Sequence, residues 1–587
     1  MGRNASEIVV DTLIAWGVDT VFGMAGDGIN GVVEALRTKQ DRIRFVRVRH
    51  EESAAFMATA HAKWTGKLGC CLATTGPGGL HLLNGLYDAK MDLAPVVALT
   101  GLPYHDIAET FTQQDVPLDR VFADVAAYNA RVMGAAHAEA VTSLACRSAL
   151  ARRGVAHLAL SVDVQEQEEG ADKPSPRGSA QTVSSGNWTD ALRLPEPEAV
   201  ARAAELLNGA RKVAVLAGRG ALDARAELEQ TAQLLGAPVA KALLGKAVLP
   251  DDHPLTTGGI GVYGTFGTHA AMAECDALLI VGSTFPYVEY YPKPGQARCV
   301  QIDRDPQRIG LRVAADVGLV GDARAALEML NAQLQRKENR SFLEKVQGEA
   351  RRWTETLRSA ERSERTPMNP AVPVAALNRR LPPDAVLATD SGHHTGLVAR
   401  HVMVQPGHDF AVSGLLASMA SGLPYAIAAG LAFPERPVFA VVGDGGLAMQ
   451  LGEFATAVQH RLNLKMLVIR NGVLRQIKWE QMLFLGNPEF ACEVPPIDFA
   501  RAAEAMGGRG FTIEDPARAD AVLDEALAAE GPVIVQALVD PNEPLLPAVV
   551  SKAYKEHLKK AFDAGTPGRI DIERALEREP SRSMMEG

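Results

Sequence analysis

Short, nearly continuous runs of Val, Ile, Leu and Ala recur along this chain, at 69–75, 96–101, 213–217, 277–282, 299–303, 438–443 and 466–471. Several end at Gly, and stretches of helical periodicity separate them. Strands of a parallel sheet carry this signature, because crossover helices cover both faces and leave no polar side. The sequence therefore predicts an α/β chain of doubly wound parallel sheets. Its 587 residues suffice for roughly three or four domains, each with its own core.

Two polar breaks divide the chain. Residues 165–196 carry Gly, Ser and Pro with few large apolar side chains and read as a linker. Residues 336–373 are rich in Arg and Glu and read as an exposed helix, then a connector through Pro367 and Pro370. The units are thus 1–164, 197–335 and 374–545, followed by a charged tail over 546–587. The first and third units are candidates for one fold used twice.

Composition excludes some functions. A net charge of −10 leaves no basic field for nucleic acid. The six cysteines are scattered without a CxxC pair, which suits reduced thiols in a cytoplasmic protein. Cys70 and Cys71 sit in an apolar run and read as buried. The N-terminus lacks a charged-then-apolar signal segment, and no apolar run approaches a membrane span. Residues 1–6 formally fit a myristoylation pattern; Asn4 and Ser6 read better as helix caps.

Two acidic residues carry the chemistry. Asp444 lies in Gly443-Asp444-Gly445-Gly446, directly after the apolar run at 438–442, with a helix expected from about Gly446. Glycines at a strand's C-terminal edge let backbone amides approach a phosphate beside a helix N-terminus. Asp444 and the Asn471 side-chain oxygen are hard ligands suited to Mg²⁺, and the Val473 carbonyl is a natural third. A lone Gly-Asp-Gly is equally a plain turn; Asn471 at the end of the next strand strengthens the metal reading. Glu51 follows an apolar run at 45–48 and opens a helix over 52–64. A carboxylate there also suits the helix dipole alone.

With these motifs the chain resembles the thiamine-diphosphate-dependent decarboxylases, and within them pyruvate oxidase and pyruvate:quinone oxidoreductase. The matching stretches are 22–27, 49–52, 76–86, 282–287, 301–306 and 443–446. The resemblance implies thiamine diphosphate-binding folds at both ends and a Rossmann-like middle unit. It makes Glu51 the cofactor-activating carboxylate, exchanging a proton with the aminopyrimidine ring. It assigns Mg²⁺ and diphosphate to Gly443, Asp444, Gly445, Gly446, Asn471 and Val473, with Gly392, His393 and His394 along the diphosphate. Ala417 and Met419 match the segment that props the coenzyme, and Gln113 matches an active-site glutamine. In relatives the stretch after Asn471 faces the substrate or the flavin. Arg475, Gln476 and Lys478 are unusually polar there, and Gln476 is taken as a substrate-side residue.

The middle unit has a truncated GxG at Gly218 and Gly220 after the run 213–217. Gly282, Phe285, Asp303 and Asp322 also fall at predicted strand ends, where a nucleotide crosses a sheet. The resemblance implies FAD there, with Asp303 at a ribose and Asp322 toward the adenosine. It also implies oxidative decarboxylation of pyruvate or a close 2-oxo acid, quinone or oxygen as electron acceptor, and a homodimer or homotetramer. The rival within the superfamily is an acetohydroxyacid synthase-like carboligase or a non-oxidative decarboxylase. A rival of another class is a catalytically silent binding protein on the same fold. The quinone-reducing relatives touch membrane lipid through their C-termini; here a moderately amphipathic basic helix is expected over 549–564.

Overall fold

The computed structural model describes residues 2–171 and 192–578. Most of the expected linker, 172–191, and the end of the tail, 579–587, lie outside the described residues.

Three six-stranded sheets form, and every strand pair in them is parallel. Counted from each unit's own first strand, the first and third sheets share the order 2-1-3-4-6-5. The N- and C-terminal units are thus one topology used twice, as the resemblance implied. The middle sheet reads 6-5-4-1-2-3, the doubly wound order of dinucleotide-binding folds. Strands Val213–Ala217 and Val438–Gly443 fall where the apolar runs predict them, and the strand before Asn471 is Leu464–Arg470. The middle strand residues of these runs are buried, as are Cys70 and Cys71.

Local chemistry sets the helix ends. Asn4 accepts the Glu7 amide and Glu7 returns to the Asn4 amide, a capping box that starts helix Ala5–Ala15. Helix Glu51–Thr65 opens with His50 accepting the Glu52 amide, and stops at Gly66, whose φ of 72° suits a residue without Cβ. This helix packs against Gly422–Ala432, and Phe56, Ala60, Ala426 and Ala429 share a core that runs through the first and third units. Small residues bring the backbones close: a Cβ on Gly85 would stand 2.5 Å from the Phe56 amide nitrogen.

One expectation needs correction. The charged helix, Ser341–Glu361, is not simply exposed: Phe342, Val346, Trp353 and Leu357 are buried on one face. Its charges occupy only the solvent side, so charge density hid an amphipathic element. The expected tail helix forms over Lys552–Asp563; its Ala561 and Phe562 join Trp479, Met482 and Leu483 in one buried cluster, with Tyr554 and Leu558 packed partly buried against it. Among the described residues, no helix is long and apolar enough to cross a membrane.

Candidate active site

In an open α/β sheet, ligands settle at the C-terminal strand edge where the winding reverses. In the third sheet that point lies between strands Val386–Thr389 and Val438–Gly443, which are paired in register. The residues just beyond them are Asp390 and Asp444. Helix Asp444–Gln450 begins at Asp444 itself, earlier than the sequence suggests, because Gly443 acts as the N-cap. The Asp444 carboxylate accepts main-chain N–H groups from Gly445 at 3.0 Å, Asn471 at 2.9 Å and Gly472 at 2.6 Å. Burial pushes its pKa up against these bonds. The Asn471 side-chain oxygen accepts the Val473 amide at 2.9 Å. Asp444, Asn471 and Val473 all line one cavity.

The glycines around Asp444 are sterically required. A Cβ on Gly446 would stand 2.1 Å from Asp390 Oδ2, and one on Gly443 would stand 2.8 Å from His394 Nδ1. His393 and His394 are buried in helix His393–His401, not on a surface loop. Burial holds His394 down at about 4 and His393 well below its usual value, so both are neutral at pH 7. His394 Nε2 is buried without a hydrogen-bond partner, although its residue lines the cavity. A buried polar atom in that state is incomplete without a ligand or water.

Sequence reasoning missed Asp390. It accepts N–H groups from Ser391 at 2.8 Å, Ala420 at 3.1 Å and Ser421 at 3.1 Å, and burial lifts its pKa to about 6. It thereby ties the first strand end to the loop carrying Met419. Ala417 and Ala420 in that loop have φ of 53° and 71°, left-handed values that cost a non-glycine residue about 1 kcal/mol or more each. The surrounding bonds hold this shape. Ala417 and Met419 line the cavity, and a Cβ on Gly445 would meet Met419 Cε at 3.6 Å. The available signal was a polar Thr-Asp-Ser-Gly stretch closing an apolar strand.

The middle sheet repeats the rule. Its winding reverses between Val213–Ala217 and Ala277–Val281, with Ala217 opposite Val281. Gly218 and Gly282 follow at the strand ends, and Gly220 donates its amide to the Gly282 carbonyl at 3.1 Å. A Cβ on Gly218 would stand 2.4 Å from that carbonyl, so these glycines permit close backbone approach within the chain itself. Phe285 packs over Gly261, Asp303 accepts the Asp305 amide at 3.0 Å, and Asp322 caps helix Ala323–Asn331. Burial raises the Asp303 pKa. All of these residues border the same cavity as Asp444, as does Gln476, whose amide donates to Glu480 at 2.9 Å. The cavity measures about 1630 Å³.

Glu51 stands apart. It is 8% exposed, its Oε2 lies 3.0 Å from His81 Nδ1, and it is not among the residues lining the cavity. The His81 ring stacks on His50 with centroids 4.4 Å apart. Gln113 is exposed and also outside the lining; its neighbour Gln114 instead bonds Thr75.

A family comparison now decides the kinship. Residues 3–123 match the N-terminal TPP binding domain of thiamine pyrophosphate enzymes, 200–330 the central domain and 390–537 the C-terminal TPP binding domain. The chain belongs to the thiamine pyrophosphate enzyme family. It is 36% identical to YdaP of Bacillus subtilis over 95% of this chain and 96% of the relative. It is 33% identical to pyruvate oxidase of Lactiplantibacillus plantarum, over 97% and 92%. It is 29% identical to the acetolactate synthase isozyme 3 large subunit of Escherichia coli, over 93% and 96%.

The residues of this thiamine pyrophosphate enzyme fit the cofactor it implies. Asp444, Asn471 and Val473 offer oxygen ligands along one cavity, glycines leave room beside a helix N-terminus, and His394 keeps an unpaired nitrogen. A further element escaped the sequence reading. Lys63, buried in helix Glu51–Thr65, donates to Asp92 at 2.6 Å and Tyr425 at 2.5 Å. Tyr425 donates to Asp88 at 2.5 Å, and Asp92 accepts the amides of Gly414 at 2.8 Å and Leu415 at 2.9 Å. Arg219, beside the Gly218 turn, donates to the Asp92 carbonyl. This network joins all three units behind the Met419 loop.

Proposed function

We propose that the protein oxidatively decarboxylates pyruvate, or a close 2-oxo acid, using thiamine diphosphate, Mg²⁺ and FAD. The observation that carries this reading is the single cavity of about 1630 Å³ shared by the Asp444 site and the middle-sheet reversal point. One drug-sized ligand needs only roughly 300–1,000 Å³. The 33% identity to a pyruvate oxidase adds support. When bound, thiamine diphosphate supplies the electron sink for decarboxylation, and FAD supplies an electron-pair acceptor that hands on to quinone or oxygen.

Asp444, Asn471 and the Val473 carbonyl hold the metal, and Gly443, Gly445 and Gly446 let the diphosphate approach. Gly392 shapes the turn that presents His393 and His394 to it. Met419, on the constrained Ala417 loop, is the apolar support under the coenzyme. Glu51 holds and returns a proton at the pyrimidine ring, while Gln113 and Gln476 offer polar contacts to the substrate. Gly218, Gly220, Gly282 and Phe285 receive the flavin nucleotide, with Asp303 and Asp322 toward its ribose and adenosine. Pyruvate, water and oxidised acceptor give acetate, carbon dioxide and reduced acceptor; with phosphate in place of water the product is acetyl phosphate. The enzyme works in the cytoplasm as a homodimer or homotetramer. The acetolactate synthase relatives favour a second reading, carboligation without net flavin reduction.

An anaerobic visible absorption spectrum separates the two. Pyruvate, added with thiamine diphosphate and Mg²⁺, is expected to bleach a flavin band. A band that persists while acetolactate forms establishes the carboligase, and protein without flavin overturns the oxidase reading.

A further inference from the structure

Arg475 is a buried cation without a carboxylate partner among the described residues. It is 2% exposed and borders the cavity that Asp444 faces. Nη2 donates to the Asp540 carbonyl at 2.9 Å, and Nη1 lies 3.4 Å from the Glu543 carbonyl and 3.5 Å from both ring nitrogens of His393. Nε is buried with no hydrogen-bond partner.

The two nearest acids are already committed. The Asp540 carboxylate takes Arg365 at 2.7 Å, and the Glu543 carboxylate takes Arg365 and the Asn369 amide. Arg578 approaches both carboxylates, at 3.8 and 3.9 Å. They offer Arg475 only main-chain oxygens. Arg365 and Arg578 thus occupy these two carboxylates, the third acid near Arg475, Asp444, makes no ion pair with it, and the unpaired Nε belongs to a residue on the cavity wall. A buried charge is costly unless paired, and a guanidinium pairs best with a planar or tetrahedral oxyanion.

We propose that Arg475 is an anion-binding residue of the cavity, taking a phosphate or carboxylate oxygen of the bound ligand. The inference rests on the function proposed above, which offers two sources of that oxygen: the coenzyme diphosphate and the carboxylate of the 2-oxo acid. Its failure is nonetheless separable from the failure of that reading.

Wild type and Arg475→Met are titrated calorimetrically with Mg²⁺-thiamine diphosphate and with Mg²⁺-pyrophosphate, and KM for pyruvate is measured at saturating coenzyme. A loss of at least about 10-fold in affinity for both phosphate ligands, the scale expected for one charged hydrogen bond, assigns Arg475 to the diphosphate. A KM rise of that size with unchanged phosphate affinity assigns it to the substrate carboxylate. All three quantities within twofold of wild type overturn the inference. Wild type that binds pyrophosphate but not thiamine diphosphate removes the coenzyme reading, and the pyrophosphate arm then judges Arg475 alone. Wild type that takes up none of the ligands overturns both. Should Arg475→Met fail to fold, Arg475→Lys keeps the charge without the fork; it is expected to lose about threefold or more, and wild-type affinity there overturns the inference.

Discussion

Oε2 of Glu51 and Nδ1 of His81 lie 3.0 Å apart on the N-terminal unit, outside the cavity that Asp444 faces. On the function proposed above, one coenzyme that meets both Glu51 and Asp444 would be shared between two copies of the chain. Glu51→Gln keeps the shape and removes the titrating group. It is expected to lower kcat by about 10²–10⁴-fold while leaving coenzyme affinity within a few-fold. Steady-state rates beside calorimetry check this, and wild-type turnover would falsify the role.

The same geometry predicts complementation. Glu51→Gln and Asp444→Asn subunits, each inactive alone, are unfolded together in equal amounts and refolded. With random two-fold pairing, half the dimers are mixed and each keeps one intact site, so about a quarter of wild-type activity returns. No recovery, despite mixed dimers seen by native mass spectrometry, places both residues at one site within a single chain.

Asp444→Asn also isolates the metal. The carboxylate is replaced by a neutral amide in a pocket that already supplies three N–H donors, so the hard anionic ligand is lost without vacating the space. Affinity for thiamine diphosphate with Mg²⁺ is expected to fall at least ~100-fold, and a chelator is expected to release coenzyme from the wild type. Coenzyme retention in excess chelator is the contrary result.

What the sequence disclosed depended on distance along the chain. Strands buried on both faces announce themselves in a few consecutive residues, and the Asp444 turn lies within one such stretch and its sequel. Asn471 was legible because it ends the neighbouring strand. Asp390 was not, since its role comes from bonds to Ala420 and Ser421 across a loop. The burial of Arg475 and the covered face of Ser341–Glu361 were hidden for the same reason: polarity in a sequence does not say which side of an element meets solvent. The repeated strand order left no residue-level repeat, because topology constrains pairing and not residue identity; the family resemblance alone implied one fold at both ends.

Lys63 is such a tertiary case, and it yields a stability prediction. Its side chain is 2% exposed and its ammonium group answers Asp92 directly, with Asp88 at 3.6 Å. Lys63→Met preserves volume but leaves buried carboxylates unpaired, an expected cost of about 3–5 kcal/mol. The double variant Lys63→Met with Asp92→Asn is expected to recover part of that loss. Urea midpoints by fluorescence test the pair; a single variant as stable as wild type refutes the network's importance.

His157 sets an acid limit. It is fully buried in the strand Val155–Ser161 and stacks on Phe122 with centroids 4.0 Å apart. One ring nitrogen meets Thr100 Oγ1 and the other Asn129 Oδ1, each at 2.8 Å, an arrangement complete for the neutral ring. Asp119, the acid that favours the cation, is itself paired with Arg131 at 2.8 Å. Burial therefore depresses the pKa from its ordinary 6.5 to about 3. Between those values the unfolded chain binds a proton that the folded one refuses, so unfolding free energy rises with pH. The contribution is complete above pH 6.5 and drains at about 1.4 kcal/mol per unit as pH falls toward 3. His393 and His394 add slopes of the same sign, so the comparison with a variant isolates this residue. His157→Gln is expected to be less stable than wild type at pH 8 and to lose stability more slowly on acidification, narrowing the gap by about 2 kcal/mol near pH 5. Parallel stability curves for the two proteins between pH 8 and 5 would show that His157 carries no such linkage.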